Sequence, residues 1–466
     1  MSTQLTGRVI HQTDPGYVDA HLGFAIRFDY DANKPTAIVF CQNTQDVVNA
    51  VKWARENKVR VRLRSGRHSY EAYSSLIKDG LIIDLSEMNG VSVDSAGSTA
   101  TVQPGLDMLQ LTEKLADSGV GLPLATGPTV GLGGLVQGGG FGMTSRLYGL
   151  VCDCAIDFEM VDAHGRILHA NKDTNPDLFW ALRGGGGGNF GVVTAITFNV
   201  FKMGNVGIFN IQWRWDDFVA VVDAWQHWAP GADHRMTSLI SLHVDRTITV
   251  QGQYTAEDQD LPLLNQFLQP MFSIPNVAPI NVQIMFVPFL QGSRIVFGVD
   301  PMNPSWAIRA HDDAQLFKSM SAIATEPFPQ KAIEMLKTAL ENVPPLSAPP
   351  SQPSMVQLLG GGGKVSEIAK DATAVWHRDA KFVVQYDGYW TAPQDKKPTM
   401  DWAINLRNSL LPYANGAYVN YHDATLGPNY MNEYFRGNAE RLTKVKRQYD
   451  PGNFFRFAQS IPVAKP

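Results

Sequence analysis

Between Gly121 and Gly142 the chain carries nine glycines. Flexible linkers of comparable glycine content are polar and serine-rich, whereas here Leu124, Val130, Leu132, Leu135, Val136 and Phe141 stand between the glycines. The segment is therefore expected to be packed. Missing Cβ atoms at this density suit a backbone that must approach a flat or phosphorylated ligand closely. A second cluster, Gly184–Gly188, continues to Gly191, and Gly186, Gly188 and Gly191 match GxGxxG. That match follows a short helix predicted over Asp177–Leu182 and leads into a strand predicted over Val192–Phe198. A dinucleotide fingerprint has the opposite order, strand then helix, so a Rossmann fold is not expected.

The other special stretch is residues 64–73, RSGRHSYEAY. Before it, Val59, Val61 and Leu63 alternate with Arg60, Arg62 and Arg64, the period of a half-buried strand. Ser65-Gly66 ends that strand in a turn whose successive N–H groups can form a nest for an anion such as a pyrophosphate, with Arg64 and Arg67 adding positive charge. Upstream, Pro35–Cys41 reads as a strand, and Thr44 as the cap of a helix with Val47, Val48, Val51 and Ala54 on one face. The β-α-β unit so formed puts His68 at the carboxyl end of a strand, where α/β folds bind ligands. A single loop histidine is ordinarily a solvated or packed residue, so His68 acquires meaning only from its surroundings.

Further along, Leu81–Leu85 and Ala100–Val102 read as strands, Leu106–Ala116 as an amphipathic helix, and residues 155–170 as a hairpin turning at His164-Gly165. From about residue 205 tryptophans become frequent and strands alternate with helices, which suggests a second domain on an antiparallel sheet. Its Lys381–Trp390 strand would carry Gln385, Asp387 and Tyr389 on one face, either solvated or facing a substrate. Ala417–Tyr421 reads as one more strand, and the helix opening at Asn438 stops at Asp450-Pro451. At 466 residues, two domains and an α+β fold are expected. A net charge of −5 leaves no footprint for nucleic acid or an anionic membrane. The opening residues lack the features of a signal peptide, so a cytoplasmic protein is expected. Cys41, Cys152 and Cys154 form neither a disulfide framework nor a zinc spacing, and no metal is expected.

Taken together, RSGRHSYEAYSS, GPTVGLGG, GGGFG, YGLVCDC, DLFWALRGGGGGNFGVVT, AYVNYHD and ERLTKVKRQYDPGNFFR, in that order, resemble the berberine bridge enzyme-like branch of the vanillyl-alcohol oxidase (PCMH-type) flavoproteins. The resemblance implies a PCMH-type FAD-binding domain made of residues 1–204 and 415–466, and a substrate domain over 205–414 whose antiparallel sheet, flanked by helices, roofs the flavin. It implies FAD attached covalently through His68, with Arg67 in place of the family's second glycine as a cation beside the pyrophosphate. Gly127 stands where some relatives carry a second, cysteinyl link, so a single link is expected. Cofactor contacts would come from Arg64, Ser65, Gly66, Arg67, His68 and Ser69, then from Thr129, Val130, Gly133, Gly134, Gly138, Gly139, Phe141 and Gly142. Gly191, Val192, Val193, Tyr421 and Asn438 would complete them.

The implied activity is an oxidase that removes a hydride from a carbon bearing oxygen or nitrogen and reduces dioxygen to hydrogen peroxide. Its substrate would be a small molecule: a natural product, a sugar or a cyclic amine. Tyr421 would be the base and Gln385 would orient the substrate, with Asp387 and Tyr73 as alternative bases, while Val130 would set oxygen access. The competing expectations are a dehydrogenase using another acceptor and a non-catalytic flavin- or ligand-binding resistance protein.

Overall fold

Two short apolar strands start the fold. Ala37–Phe40 and Leu81–Asp84 are buried at every position and pair in parallel, and Val61–Arg64 pairs in parallel with the other side of Leu81–Asp84. In this computed structural model, which describes residues 3–255, 260–299 and 315–464, the expected β-α-β unit is thus split by a third strand. Its helix, Thr44–Glu56, is capped by Asn43, whose side chain accepts from the Asp46 N–H. Thr44 is already the first helical residue, and its hydroxyl donates instead to Glu159.

A second sheet runs in the order Val91–Val93, Thr99–Val102, Val192–Asn199, Ala155–Val161, Ile167–Asn171. Its last two strands are the expected hairpin, tightened by the Asp162 carboxylate, which accepts from the N–H groups of His164 and Arg166. The helix Pro176–Leu182 precedes the glycine cluster, and the strand after it matches the predicted order.

The third sheet has seven antiparallel strands: Asn281–Pro288, Asn205–Trp213, Ile248–Thr255, Met236–His243, Met355–Gly360, Phe382–Tyr389 and Phe317–Ala324. One face packs Phe209, Ile211, Trp213, Tyr254 and Tyr386 against helices that include Phe218–Trp228, Gln330–Glu341 and Lys396–Leu410. Alternation leaves Val383, Gln385, Asp387 and Tyr389 on the opposite face.

Residues Ala417–Tyr421 do not form the expected strand. Tyr418 N–H donates to the Ser321 hydroxyl, Ala417 N–H to the Glu433 carbonyl, and Tyr421 N–H turns back to the Tyr418 carbonyl, contacts that belong to no strand ladder. Ala417, Val419, Tyr434, Leu442 and Ile461 share one core with Val102, Phe158, Met160 and Ile196 of the second sheet. The C-terminal segment therefore closes over the N-terminal half of the chain.

Candidate active site

A cavity of about 480 Å³ lies where the loop after Val61–Arg64, the first glycine run, the Gly187–Val193 turn, the seven-stranded sheet and the C-terminal segment converge. Gly66 and Gly131 press together at its wall. A Cβ on Gly66 would come within 2.1 Å of the Gly131 nitrogen, and one on Gly131 within 2.3 Å of the Gly66 nitrogen. Beside this contact Arg67 adopts a left-handed φ of 63°, which explains why a glycine would serve there and why an arginine is strained by about 1–2 kcal/mol. Among the described residues, no backbone acceptor meets the N–H groups of residues 66–70, and all five residues line the cavity.

The arginines of this loop are not anion ligands. The Arg64 guanidinium is buried on Asp84 at 2.5 Å and on the carbonyls of Ala20 and His21. That of Arg67 donates to the carbonyls of Asp19 and Leu22 and lies 3.9 Å from Asp84. Both residues border the cavity, but their guanidinium groups are engaged by Asp84 and by backbone carbonyls. Ser65 is likewise engaged, donating to the Pro104 carbonyl, and the Ser69 hydroxyl accepts the Tyr73 N–H.

His68 does face the cavity. Its ring stacks on Phe24 at 4.2 Å, its Nε2 lies 2.8 Å from the Thr129 hydroxyl, and loss of hydration lowers its pKa to about 4. At neutral pH it is an uncharged imidazole with Nδ1 uncommitted to Thr129.

The glycine run divides in two. Gly131, Gly133 and Gly134 line the cavity with Val130 and Phe141, and a Cβ on Gly134 would meet nothing within 4 Å. Gly138, Gly139 and Gly142 line none of it. A Cβ on Gly138 would strike the Asn420 amide at 2.0 Å, and one on Gly142 the Leu124 carbonyl at 1.7 Å. Gly139 is packed among Leu150, Val375 and Tyr418. These three fit the chain against itself. Asn438 is also structural: its buried amide donates to the carbonyls of Lys370, Thr373 and Ala374, outside the cavity lining. Gly191, Val192 and Val193 line the cavity as expected, and so does Gly127, where no thiol is present.

Three lining residues escaped the sequence analysis as ligands. Arg62 Nε, Ser74 Oγ and Gln137 Oε1 are buried polar atoms that find no hydrogen-bond partner among the described residues. Such atoms are costly unless something else satisfies them. Together with the free N–H nest and the open space at Gly134, they fit a large ligand that carries anionic and hydrogen-bonding groups.

Across the cavity stand Tyr421 and Gln385. Tyr421 stacks on Tyr70 at 5.2 Å and meets Tyr418 edge-on at 5.1 Å. Burial, reinforced by Tyr418 and Asp387, pushes its pKa well above that of a free phenol. This is the wrong direction for the expected base, since the pocket holds Tyr421 protonated. Tyr73, also on the lining, is shifted the same way by burial and by Glu71. Asp387 is fully buried behind Gln385 and does not line the cavity; the Gln385 amide donates to its two oxygens at 3.1 and 3.0 Å. Burial, partly offset by Ser319 and Gln385, raises the Asp387 pKa to about 6. The rest of the sheet's contribution is Leu239, Met355, Gln357, Leu359 and Val383, none of them charged.

Residues 35–171 match the FAD binding domain family, and residues 417–462 match the berberine and berberine-like family. The chain is 38% identical to the uncharacterized FAD-linked oxidoreductase YgaK of Bacillus subtilis, over 99% of this chain and 98% of that one. It is 30% identical to berberine bridge enzyme-like C-1 of Nicotiana tabacum, over 92% of this chain and 85% of the other. The chain belongs to the berberine bridge enzyme-like FAD-linked oxidoreductases. FAD is its cofactor, and the two matched families are the segments that meet around the cavity. The fold agrees with that of wild-type Phl p 4.0202, a glucose dehydrogenase, with a TM-score of 0.88 and 28% identity over 98% of this chain and 97% of the other. An isoleucine-to-valine variant of that pollen allergen, with the same TM-score and identity, is a glucose oxidase. Among the described residues, no helix is long and apolar enough to cross a membrane, and no cluster of ligating side chains could hold a metal ion.

Proposed function

We propose that this protein is an oxidase of small hydroxylated molecules whose FAD is linked through His68. When bound, FAD supplies the acceptor for a hydride from a carbon bearing oxygen, and dioxygen takes up the electrons to give hydrogen peroxide. Residues 1–204 and 415–466 form the part that binds FAD, and residues 205–414 form the roof over the substrate. The single observation that carries this reading is His68, an uncharged imidazole facing a cavity ringed by unsatisfied polar atoms. Thr129 holds the ring at Nε2, and in the tautomer whose Nε2–H donates to the Thr129 hydroxyl, Nδ1 carries the lone pair that acts as the nucleophile. The N–H groups of the Gly66–Tyr70 turn, with Arg62, Ser74 and Gln137, would hold the cofactor's phosphate and hydroxyl groups.

The uncharged sheet lining favours a neutral substrate. An amine that binds as a cation would leave its charge unpaired, because Asp387 is shut behind Gln385. Gln357 and Gln385 offer amides suited to hydroxyl groups, as in a sugar or another polyhydroxylated molecule. Tyr421, held as a phenol, orients the substrate hydroxyl. Asp387, the carboxylate held directly behind the Gln385 amide and with its pKa near 6, is the final acceptor of the proton. Val130 at the wall, beside Gly127 and without a bulkier side chain, leaves dioxygen a path.

Two measurements test the reading. Denatured protein should retain flavin fluorescence on a gel, and His68→Ala should lose it. Sugars, simple alcohols and cyclic amines should then be screened for peroxide release; turnover of cyclic amines alone, or of any substrate without peroxide, would overturn the proposed chemistry.

A further inference from the structure

Two segments that line the cavity are tied to a strand of the seven-stranded sheet at one buried cluster of charges. Glu71, three residues after His68, reaches Lys318 Nζ with one carboxylate oxygen at 2.6 Å and Arg27 with the other at 2.7 Å. Lys318 Nζ also lies 2.7 Å from Asp423, two residues after Tyr421. Every side chain in the cluster is at most 5% exposed. Backbone contacts extend the grip. Arg27 donates to the carbonyls of Tyr70 and Phe317, and Glu71 accepts from the Ala424 N–H. On the sheet, the neighbour of Lys318 is Ser319, which hydrogen-bonds Asp387.

Two acids and two bases make a neutral cluster, and a neutral buried cluster is poor evidence for stability, since apolar residues in its place often hold a fold as well. What apolar residues would lack is direction. Lys318 meets two carboxylates, from the loop that carries His68 and Tyr70 and from the segment that carries Tyr418 and Tyr421, and it does so from the roof. We propose that Lys318 is a positioning residue that fixes the spacing between the His68 loop and the Tyr421 segment across the cavity. The inference rests on the assignment of the cavity to FAD and of His68 to its attachment. Its consequence is that covalent attachment depends on a side chain that itself lies outside the cavity lining.

The test uses the full chain as expressed with FAD. Lys318→Met alone leaves two carboxylates facing one guanidinium, so the decisive protein is the neutral double variant Lys318→Met/Asp423→Asn. It should melt near the native temperature. Hydrogen exchange should rise in residues 66–73 and 417–425 but not in the strands Asn205–Trp213 and Ile248–Thr255, and the share of chains with acid-stable flavin should fall several-fold. Native exchange and native flavin retention in the double variant would overturn the proposal, and so would a uniform rise in exchange, which marks general destabilisation. If the double variant does not fold, Asp423→Asn, which keeps the shape and removes one charge, decides by the same two readouts. His68→Ala separates the two failures. Should it retain acid-stable flavin, the assignment of the site falls and the role of Lys318 with it; should it lose that flavin while the double variant behaves as native, only the role of Lys318 falls.

Discussion

On the loop side of the cavity, glycines are frequent among the lining residues: Gly66, Gly131, Gly133, Gly134, Gly187 and Gly188, beside side chains such as His68 and Gln137. On the sheet side the lining residues all carry side chains: Gln357, Gln385, Leu239, Met355 and Val383, from strands far apart in sequence. On the loop side, Gly66 and Gly131 leave no room for an added atom, because their backbones are pressed within reach of each other. The sheet side hangs on a seven-stranded scaffold with its own helix-backed core, and its cavity face can change without disturbing that core. One side can thus keep a common cofactor while the other takes up different substrates.

The sharpest way to break this comparison is to add a methyl group on the loop side and to remove methyl groups on the sheet side. Gly66→Ala puts a Cβ at 2.1 Å from the Gly131 nitrogen, where only backbone could yield. A loss of about 1–3 kcal/mol in stability, together with loss of bound flavin, is expected from chemical denaturation and the visible spectrum. Val383→Ala on the sheet side should leave flavin content native; an equal loss of flavin in both variants would remove the distinction.

The next effect is chemical. Tyr421→Phe keeps the stack on Tyr70 and removes the hydroxyl proposed to orient the substrate. Flavin reduction at saturating substrate, followed anaerobically, should slow by about 10²-fold or more with an unchanged flavin spectrum. A near-native rate would reduce Tyr421 to a wall of the pocket.

Asp387 should give the pH dependence its shape. Its pKa is raised to about 6, so the carboxylate that accepts the proton is present above that value and lost below it. The rate of flavin reduction should fall as pH drops through about 6. Asp387→Asn should slow reduction and abolish that limb. A limb that survives the substitution would belong to another group.

The smallest effect is expected at Val130, which lies on the loop side but contributes a side chain. Val130→Leu should slow reoxidation by air more than reduction by substrate, as measured by stopped flow. Equal effects on the two half-reactions would leave Val130 as packing only.

The floor of the site was more legible in the sequence than its roof, for a reason visible in particular residues. Glycine clusters and the RSGRHS turn are local: whether a Cβ can be tolerated is decided within a few residues, and the pattern survives in the string of letters. Even so, the sequence could not say which glycines meet a ligand and which meet the chain. Gly134 and Gly138 look alike in GLGGLVQGGG, yet one opens to the cavity and the other receives Asn420 from the far end of the chain. The arginines misled for the same reason. Arg64 and Arg67 sit beside the expected phosphate site in sequence, but Asp84, on the adjacent strand, engages both guanidinium groups.

By itself, then, the sequence determined the α+β fold class, the membership of the flavoprotein family, the loop that presents His68 and the absence of a thiol at Gly127. These rest on covalent order and local backbone geometry. Only the tertiary structure decided that Asn438 and three of the glycines are structural, that Tyr421 is held as a phenol, and that Asp387 is the carboxylate with its pKa near 6. It alone also brought Arg27, Glu71, Lys318 and Asp423 into one cluster. The reason is physical: desolvation and charge pairing depend on which atoms surround a group, and here those atoms come from segments hundreds of residues apart.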